Sequence, residues 1–383
     1  YLTLTGDFKM DAGSFVPGSN VSHIVSGNWT ESVGTTFEPT AGKFTFNGAP
    51  STITTDAAGG NKFFNLTSAG NPVNAGSNLD IDGDFTIAAG PFNPLNFNHT
   101  VAGNWDSELG LFDAGTGTGK ITFDGATSAN IKTGPSNDFH HFEINTTADK
   151  TVTTNNLNID GDLTITAGTF NPGAFSHDIA GNWDDVAGTF QATDGEITIS
   201  GSGPSTIKTG TNNNFNNLTI DGTIETFSDN DIEIGGVLDV NDTKTLTVVA
   251  GDRLTFTGNL SAHTIVGTLT MNTSAGNNST LDFTGSTSNT VVVDGTLNLN
   301  GTDATGQALV TGAADPALVN LEFPSGASGT GNGLFNGNFF TISFPVANGV
   351  KIANATEPTM ANGTFQNPTA GLGILLNLNG ATN

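Results

Sequence analysis

The chain has 383 residues, with 10 Lys or Arg against 36 Asp or Glu, a formal net charge of −26, 51 glycines and no cysteine. One arginine, Arg253, in so acidic a chain excludes a nucleic-acid partner, because neutralising phosphates takes clustered Lys and Arg. The missing cysteines exclude a disulfide framework and thiolate metal sites without naming a compartment, and 35% hydrophobic residues, including 27 Phe, predict a folded chain with a large core.

From the amino terminus, Leu2-Thr3-Leu4-Thr5 alternates apolar and polar residues, the period-2 mark of a half-buried strand, and Gly6-Asp7-Phe8 follows it. The same order returns as Leu79 to Asp82 before Gly83-Asp84-Phe85, and as Leu157 to Asp160 before Gly161-Asp162-Leu163. Gly27-Asn28-Trp29, Gly103-Asn104-Trp105 and Gly181-Asn182-Trp183 recur at about 77 residues. Phe15-Val16-Pro17, Phe92-Asn93-Pro94 and Phe170-Asn171-Pro172 keep the same step, as do Phe44, Ile121 and Ile197, and Phe63, Phe139 and Phe215. Three repeat units are therefore predicted, at 1–77, 78–156 and 157–230.

Within a unit, Gly6, Gly27 and Gly48 are evenly spaced at about 21 residues, so about four coils per unit are expected. Glycine and small polar residues such as Asp11 to Ser14 mark corners between strands, and no stretch sustains a helical period. Over 231–330 the apolar tetrads recur at about 12 to 17 positions, which predicts a solenoid of shorter coils. The segment 331–383, with Phe335, Phe339, Phe340, Phe344 and Ile374-Leu375-Leu376, reads as a terminal cap or assembly segment. An all-β chain folded as a β-solenoid of about 20 coils is expected, on the order of 100 Å long at about 4.8 Å per coil. The alternative is a string of small β-sandwich domains. No apolar run is long enough for a membrane span, and a start at Tyr1 inside a strand-like pattern predicts a mature or trimmed chain.

Candidate sites are few. Asn78-Leu79-Asp80-Ile81-Asp82-Gly83 and Asn156-Leu157-Asn158-Ile159-Asp160-Gly161 carry oxygen ligands at alternate positions like the start of a calcium loop, but Ala89 stands where the first would need its twelfth ligand. Solvated strand faces are the simpler reading, and calcium bridging carboxylates of adjacent coils stays open. His23, His99 and His177 each precede a Gly-Asn-Trp glycine by four residues, too far apart along a solenoid to share a metal. Adjacent His140 and His141 should point to opposite faces. The three tryptophans read as core or corner fillers rather than a carbohydrate-stacking platform. Fourteen Asn-x-Ser/Thr sequons make glycosylation a candidate modification, although abundant Asn, Ser and Thr generate most of them. No catalytic, cofactor-binding or metal-ligating residue is assigned, and no enzyme is expected.

The wording Gly181-Asn182-Trp183, Gly188-Thr189-Phe190, Ile121 to Gly125 and Phe215 to Ile220 resembles repeat-rich secreted surface proteins of bacteria and archaea, over about residues 1 to 230. That resemblance implies a β-solenoid at the cell surface, of adhesin, filament or surface-layer type. The favoured function is an extracellular structural protein that assembles with itself head to tail through β contacts. The alternatives are an adhesin stalk whose carboxy-terminal segment binds cell-surface glycans or other surface proteins, and a polysaccharide-active β-helix enzyme. The enzyme is disfavoured because the carboxylates recur at repeat positions instead of gathering at one locus.

Overall fold

The computed structural model describes the chain except residues 20, 49, 71, 116, 191, 227–230, 259–262, 284–289, 313–319, 324–332, 344–347, 353–358, 367–373 and 379–383. It is a parallel β-solenoid of the all-β class, short strands joined by turns. Parallel ladders between successive coils exclude tandem antiparallel sandwiches. The one helical element among the described residues is a single 3-10 turn, Ala57–Gly59, and no helix is long and apolar enough to cross a membrane. Two compact units divide the chain: Tyr1–Ile179 with Ala187–Gln191, and Ala180–Val186 with Ala192–Asn383.

The first unit has three faces, two carrying strands from the first coil and the third carrying isolated bridges until Asp80. One face runs through Thr3–Leu4, Ser22–Val25, Lys43–Phe46, Asn65–Ser68, Phe85–Ile87, Trp105–Ser107 and Ala129–Thr133. A second runs through Phe8–Met10, Trp29–Glu31, Ser51–Thr54, Val73–Ala75, Pro91–Asn93 and Leu111–Phe112. A third carries Asp80–Ile81, His99–Val101, Lys120–Phe123 and the start of His141–Thr154.

Register explains the long repeat. His23 pairs with Phe44 one coil on, whereas the step from Trp29 to Trp105 is not a whole number of such coils. Trp29 accordingly sits on the second face, between Phe8 and Ile53, while Trp105 sits on the first, between Phe85 and Ile131. Equivalent residues fall back by one face from the first repeat to the second, so a unit is one face short of the four coils expected.

Inward positions alternate with outward ones along each strand, as the period-2 pattern requires. Trp29 stacks on Phe8 at 3.9 Å and is ringed by Phe37, Phe44, Phe46 and Phe63, all buried. One inward position is a lysine. Lys150 pairs in register with Ala129 and Phe170, is fully buried, and donates from Nζ to the carbonyls of Gly125 (3.0 Å) and Thr127 (2.8 Å). Its stem lines the core while its ammonium ties down a corner, and burial lowers its pKa. Lys150→Met keeps the stem but strips the Gly125 carbonyl of this donor. A loss of about 1–3 kcal/mol in urea-unfolding stability is expected.

The second unit also has three faces, and its core is more aliphatic, with Ile197, Leu218, Leu238, Leu246, Leu269 and Leu297 buried. Its coils lengthen rather than shorten. Asn241 reaches back 20 residues to Asp221 on the preceding rung, Asn298 reaches back 28 residues to Thr270, and Asn336 reaches back 38 residues to Asn298. The short spacing of the apolar tetrads separates successive strands on different faces, such as Leu238–Val240 and Arg253–Phe256. Long coils leave fewer turns than the 20 expected. Within 331–383 the described strands continue this stacking, with Phe335 beside Leu297 and Phe340 beside Ala308. Phe344 lies outside the described residues, as do the side chains of Ile374, Leu375 and Leu376.

Candidate functional site

The repeated Gly-Asp and Gly-Asn pairs are corner rungs. Asp7 Oδ1 accepts the Asn28 amide at 2.8 Å, and Asn28 Oδ1 accepts the Thr52 amide at 2.9 Å. Asp84, Asn104 and Asn130 repeat the relay at 2.8 and 2.9 Å. The preceding glycine lets two coils touch: a Cβ on Gly103 would lie 2.5 Å from the Gly83 carbonyl carbon, whereas one on Gly6 meets nothing. Gly103→Ala should therefore cost roughly 2 kcal/mol by urea unfolding, and Gly6→Ala should be nearly neutral.

Each Trp anchors a buried clasp. Trp29 Nε1 donates to Glu31 Oε1 (2.6 Å), Trp105 Nε1 to Ser107 Oγ (2.9 Å) and Trp183 Nε1 to Asp185 Oδ2 (3.0 Å). An asparagine further along the chain completes it. Asn61 Nδ2 donates to Glu31 Oε2 while its Oδ1 accepts the Phe37 amide, and Asn137 does the same for Ser107 Oγ and the Phe112 amide. Asn213 Nδ2 donates to the Asp185 carbonyl, and Asp185 Oδ1 accepts the Gly210 amide. Burial raises the Glu31 carboxyl above its usual range and pushes Asp185 up to about 6. The indoles are fully buried and offer no stacking face to solvent.

The histidines are also coil-to-coil contacts. Nδ1 of His23, His99 and His177 accepts the amides of Leu2, Leu79 and Leu157 at 2.8–3.0 Å, and His263, which sequence spacing did not single out, accepts that of Leu238 at 3.1 Å. An accepting Nδ1 places the proton on Nε2, which in His177 lies 2.8 Å from the Pro172 carbonyl. Burial lowers the pKa of His99, His177 and His263 to about 4. His140 and His141 do not point to opposite faces. Their rings meet edge to face at 4.4 Å, because the chain turns a corner between Asp138–Phe139 and His141–Thr154.

In the calcium-like segments Leu79, Ile81, Leu157 and Ile159 are buried, and the polar residues face neighbouring coils. Asn78 Oδ1 accepts the Asn98 amide, Asp80 Oδ1 accepts from Thr100 Oγ1, and Asp82 pairs with Lys62 at 2.7 Å. In the second, Asn156 Oδ1 accepts the Ser176 amide, Asn158 Nδ2 donates to Asp138 Oδ1, and burial raises the Asp160 carboxyl. Among the described residues no three His, Cys, Asp or Glu side chains converge as a metal site. Several sequon asparagines use their side-chain oxygen on a neighbouring coil: Asn28, Asn65, Asn98 and Asn217 each accept a backbone amide. Asn20, Asn259 and Asn354 lie outside the described residues.

One locus does gather charge, contrary to the expectation from the repeats. A recess of about 360 Å³ in the second unit is lined by Asp231, Glu233, Arg253, Thr255 and Asp282, with the 209–213 corner as its wall. Register brings them together: Asp231 lies beside Arg253, and Glu233, Thr255 and Asp282 form one column. Arg253 Nη1 sits 2.7 Å from Asp282 Oδ2, and Thr311 Oγ1 donates to Asp282 Oδ1 at 3.1 Å. Mixed donors and acceptors suit hydroxylated ligands, but Asp282 is almost fully buried and tied down on both oxygens. The signal for this cluster was the lone arginine, and its partners are legible only once the pairing of successive coils is known. Comparison with family profiles, with curated proteins and with solved structures returns no match to this chain.

Proposed function

We propose that the chain is an extracellular structural protein, a self-assembling subunit of a surface filament or layer. One observation carries this reading: the recurrent polar side chains, from Asp7, Asn28 and Asp84 to His99, His177 and His263, are hydrogen bonded to a neighbouring coil. Such chemistry stiffens a scaffold. Any rung with a neighbour on one side only presents unpaired backbone groups, to which a second copy adds in the same parallel register. Contacts of that kind need not close, and they propagate into fibres. The secreted surface proteins that the repeats resemble point to the cell surface as its location.

Sedimentation and negative-stain imaging across a hundredfold concentration range test the proposal. Filaments that lengthen with concentration are expected, and monodisperse particles throughout would sink it. A second reading, an adhesin stalk, draws on the recess around Arg253. It requires saccharide binding that Arg253→Ala abolishes.

A further inference from the structure

From Thr245 onward, one sheet face of the second unit carries no charge. In register it holds Thr245, Thr268, Thr296 and Leu334 in one column, and Thr247, Thr270, Asn298, Asn336 and Thr359 in the next. A third column holds Asn272, Asn300, Asn338 and Ala361. The amides form ladders: Asn336 Nδ2 donates to Asn298 Oδ1 at 3.0 Å and Asn300 Nδ2 to Asn272 Oδ1 at 3.1 Å. These ladders fix the outward groups at the spacing of the rungs, about 4.8 Å.

The net charge is −26, and over the same rungs the other two faces carry Arg253 and Asp282 on one and Glu322 on the other, whereas before Thr245 all three faces are charged and Glu225 precedes Thr247 in its own column. Two copies that approach through either charged face bring carboxylates together, which self-repulsion opposes. Depletion of charge is also what distinguishes the centre of a protein interface from ordinary surface.

We infer that this Thr/Asn face is a lateral docking surface for a second copy of the same chain. The inference deepens the self-assembly reading and rests on it. Three columns of four, five and four residues present roughly 400 Å², about half of what each partner buries in a stable complex. A single pair of copies therefore holds weakly. Copies already aligned in an array engage many such faces at once, and linkage of that kind raises avidity about 10²–10⁴-fold.

The test displays the full chain at high density on polymer beads and follows bead clustering by light scattering. Wild-type beads should cluster. Asn298→Asp with Asn300→Asp, isosteric changes that place two charges on the face, should slow clustering at least tenfold, with recovery in 1 M salt where screening shortens to about 3 Å. That recovery separates charge from misfolding. Thr280→Asp with Thr341→Asp adds the same charge to the Arg253 face, where neither position stands opposite a carboxylate in register, and should leave clustering unchanged. Wild-type beads that stay dispersed, or that instead coat crystalline chitin or cellulose, would overturn the inference. So would equal clustering of the Asn298→Asp/Asn300→Asp beads, or equal slowing by the control pair. Failure of the free chain to form filaments leaves the bead result standing, so the two proposals fail separately.

Discussion

Acidification from pH 7 to pH 4 should loosen the coils at Leu79, Leu157 and Leu238 in particular. Their amides donate to Nδ1 of His99, His177 and His263. Burial lowers those pKa values from 6.5 to about 4, so the unfolded chain takes up these protons first. The stabilisation is complete above about pH 6.5 and is lost as pH falls toward 4, amounting to about 3 kcal/mol per histidine. Protonation at Nδ1 also removes the acceptor that each leucine amide uses. Hydrogen exchange, corrected for its intrinsic pH dependence, should speed up at these three amides through that window. His99→Asn keeps an acceptor near the Nδ1 position and carries no titrating group. In this variant the pH response at Leu79 should vanish while that at Leu157 remains.

Asp185 runs with the opposite sign. Its folded pKa is raised from 3.8 to about 6, so the protonated form favours the fold, and this stabilisation is lost as pH rises through about 6. The carboxylate at high pH depends on the Asn213 side chain, Trp183 Nε1–H and the Gly210 amide. Trp183→Ala should cost about 4 kcal/mol through the cavity alone. Trp183→Phe carries the same smaller cavity cost at both pH values, so the hydrogen bond shows as the difference: about 1–2 kcal/mol more is lost at pH 8, where the acceptor is charged, than at pH 4.5, where it is neutral. Trp105→Phe, whose partner is Ser107, should show no such pH dependence. Chemical denaturation of the two Phe variants at both pH values checks the comparison. Equal pH dependence would mean that Asp185 is not the titrating partner.

Much of the fold is legible in the sequence, and the reasons are specific. The tetrads Leu2 to Thr5 and Leu79 to Asp82 alternate because parallel strands bury one side, and Gly103 recurs before Asn104 because two coils touch there. Register is less legible. The spacing between strands of one coil and the length of a whole coil look alike along the chain, since face identity is written in three dimensions. The same ambiguity hid the shift of one face between Trp29 and Trp105, and the column that joins Glu233 to Asp282. His263 was missed because it lies outside the three repeats, yet it holds the Leu238 amide as His99 holds that of Leu79. His140 and His141 show a different limit: alternation predicts side-chain direction inside a strand but not across a corner.

In-register stacking of parallel coils underlies both the histidine and the tryptophan predictions, and engineered cysteines measure it directly because the chain has none of its own. Thr100 pairs with Thr122 in the first unit and Thr245 with Thr268 in the second, each pair outward-facing on adjacent rungs. Rung spacing of about 4.8 Å falls within the Cα separation that a disulfide bridges. Double-cysteine variants at both pairs should oxidise rapidly and nearly completely under mild conditions, while Thr100 paired with a cysteine at Thr164, further along the same column, should not. Failure of either in-register pair to cross-link in the folded chain would contradict the solenoid.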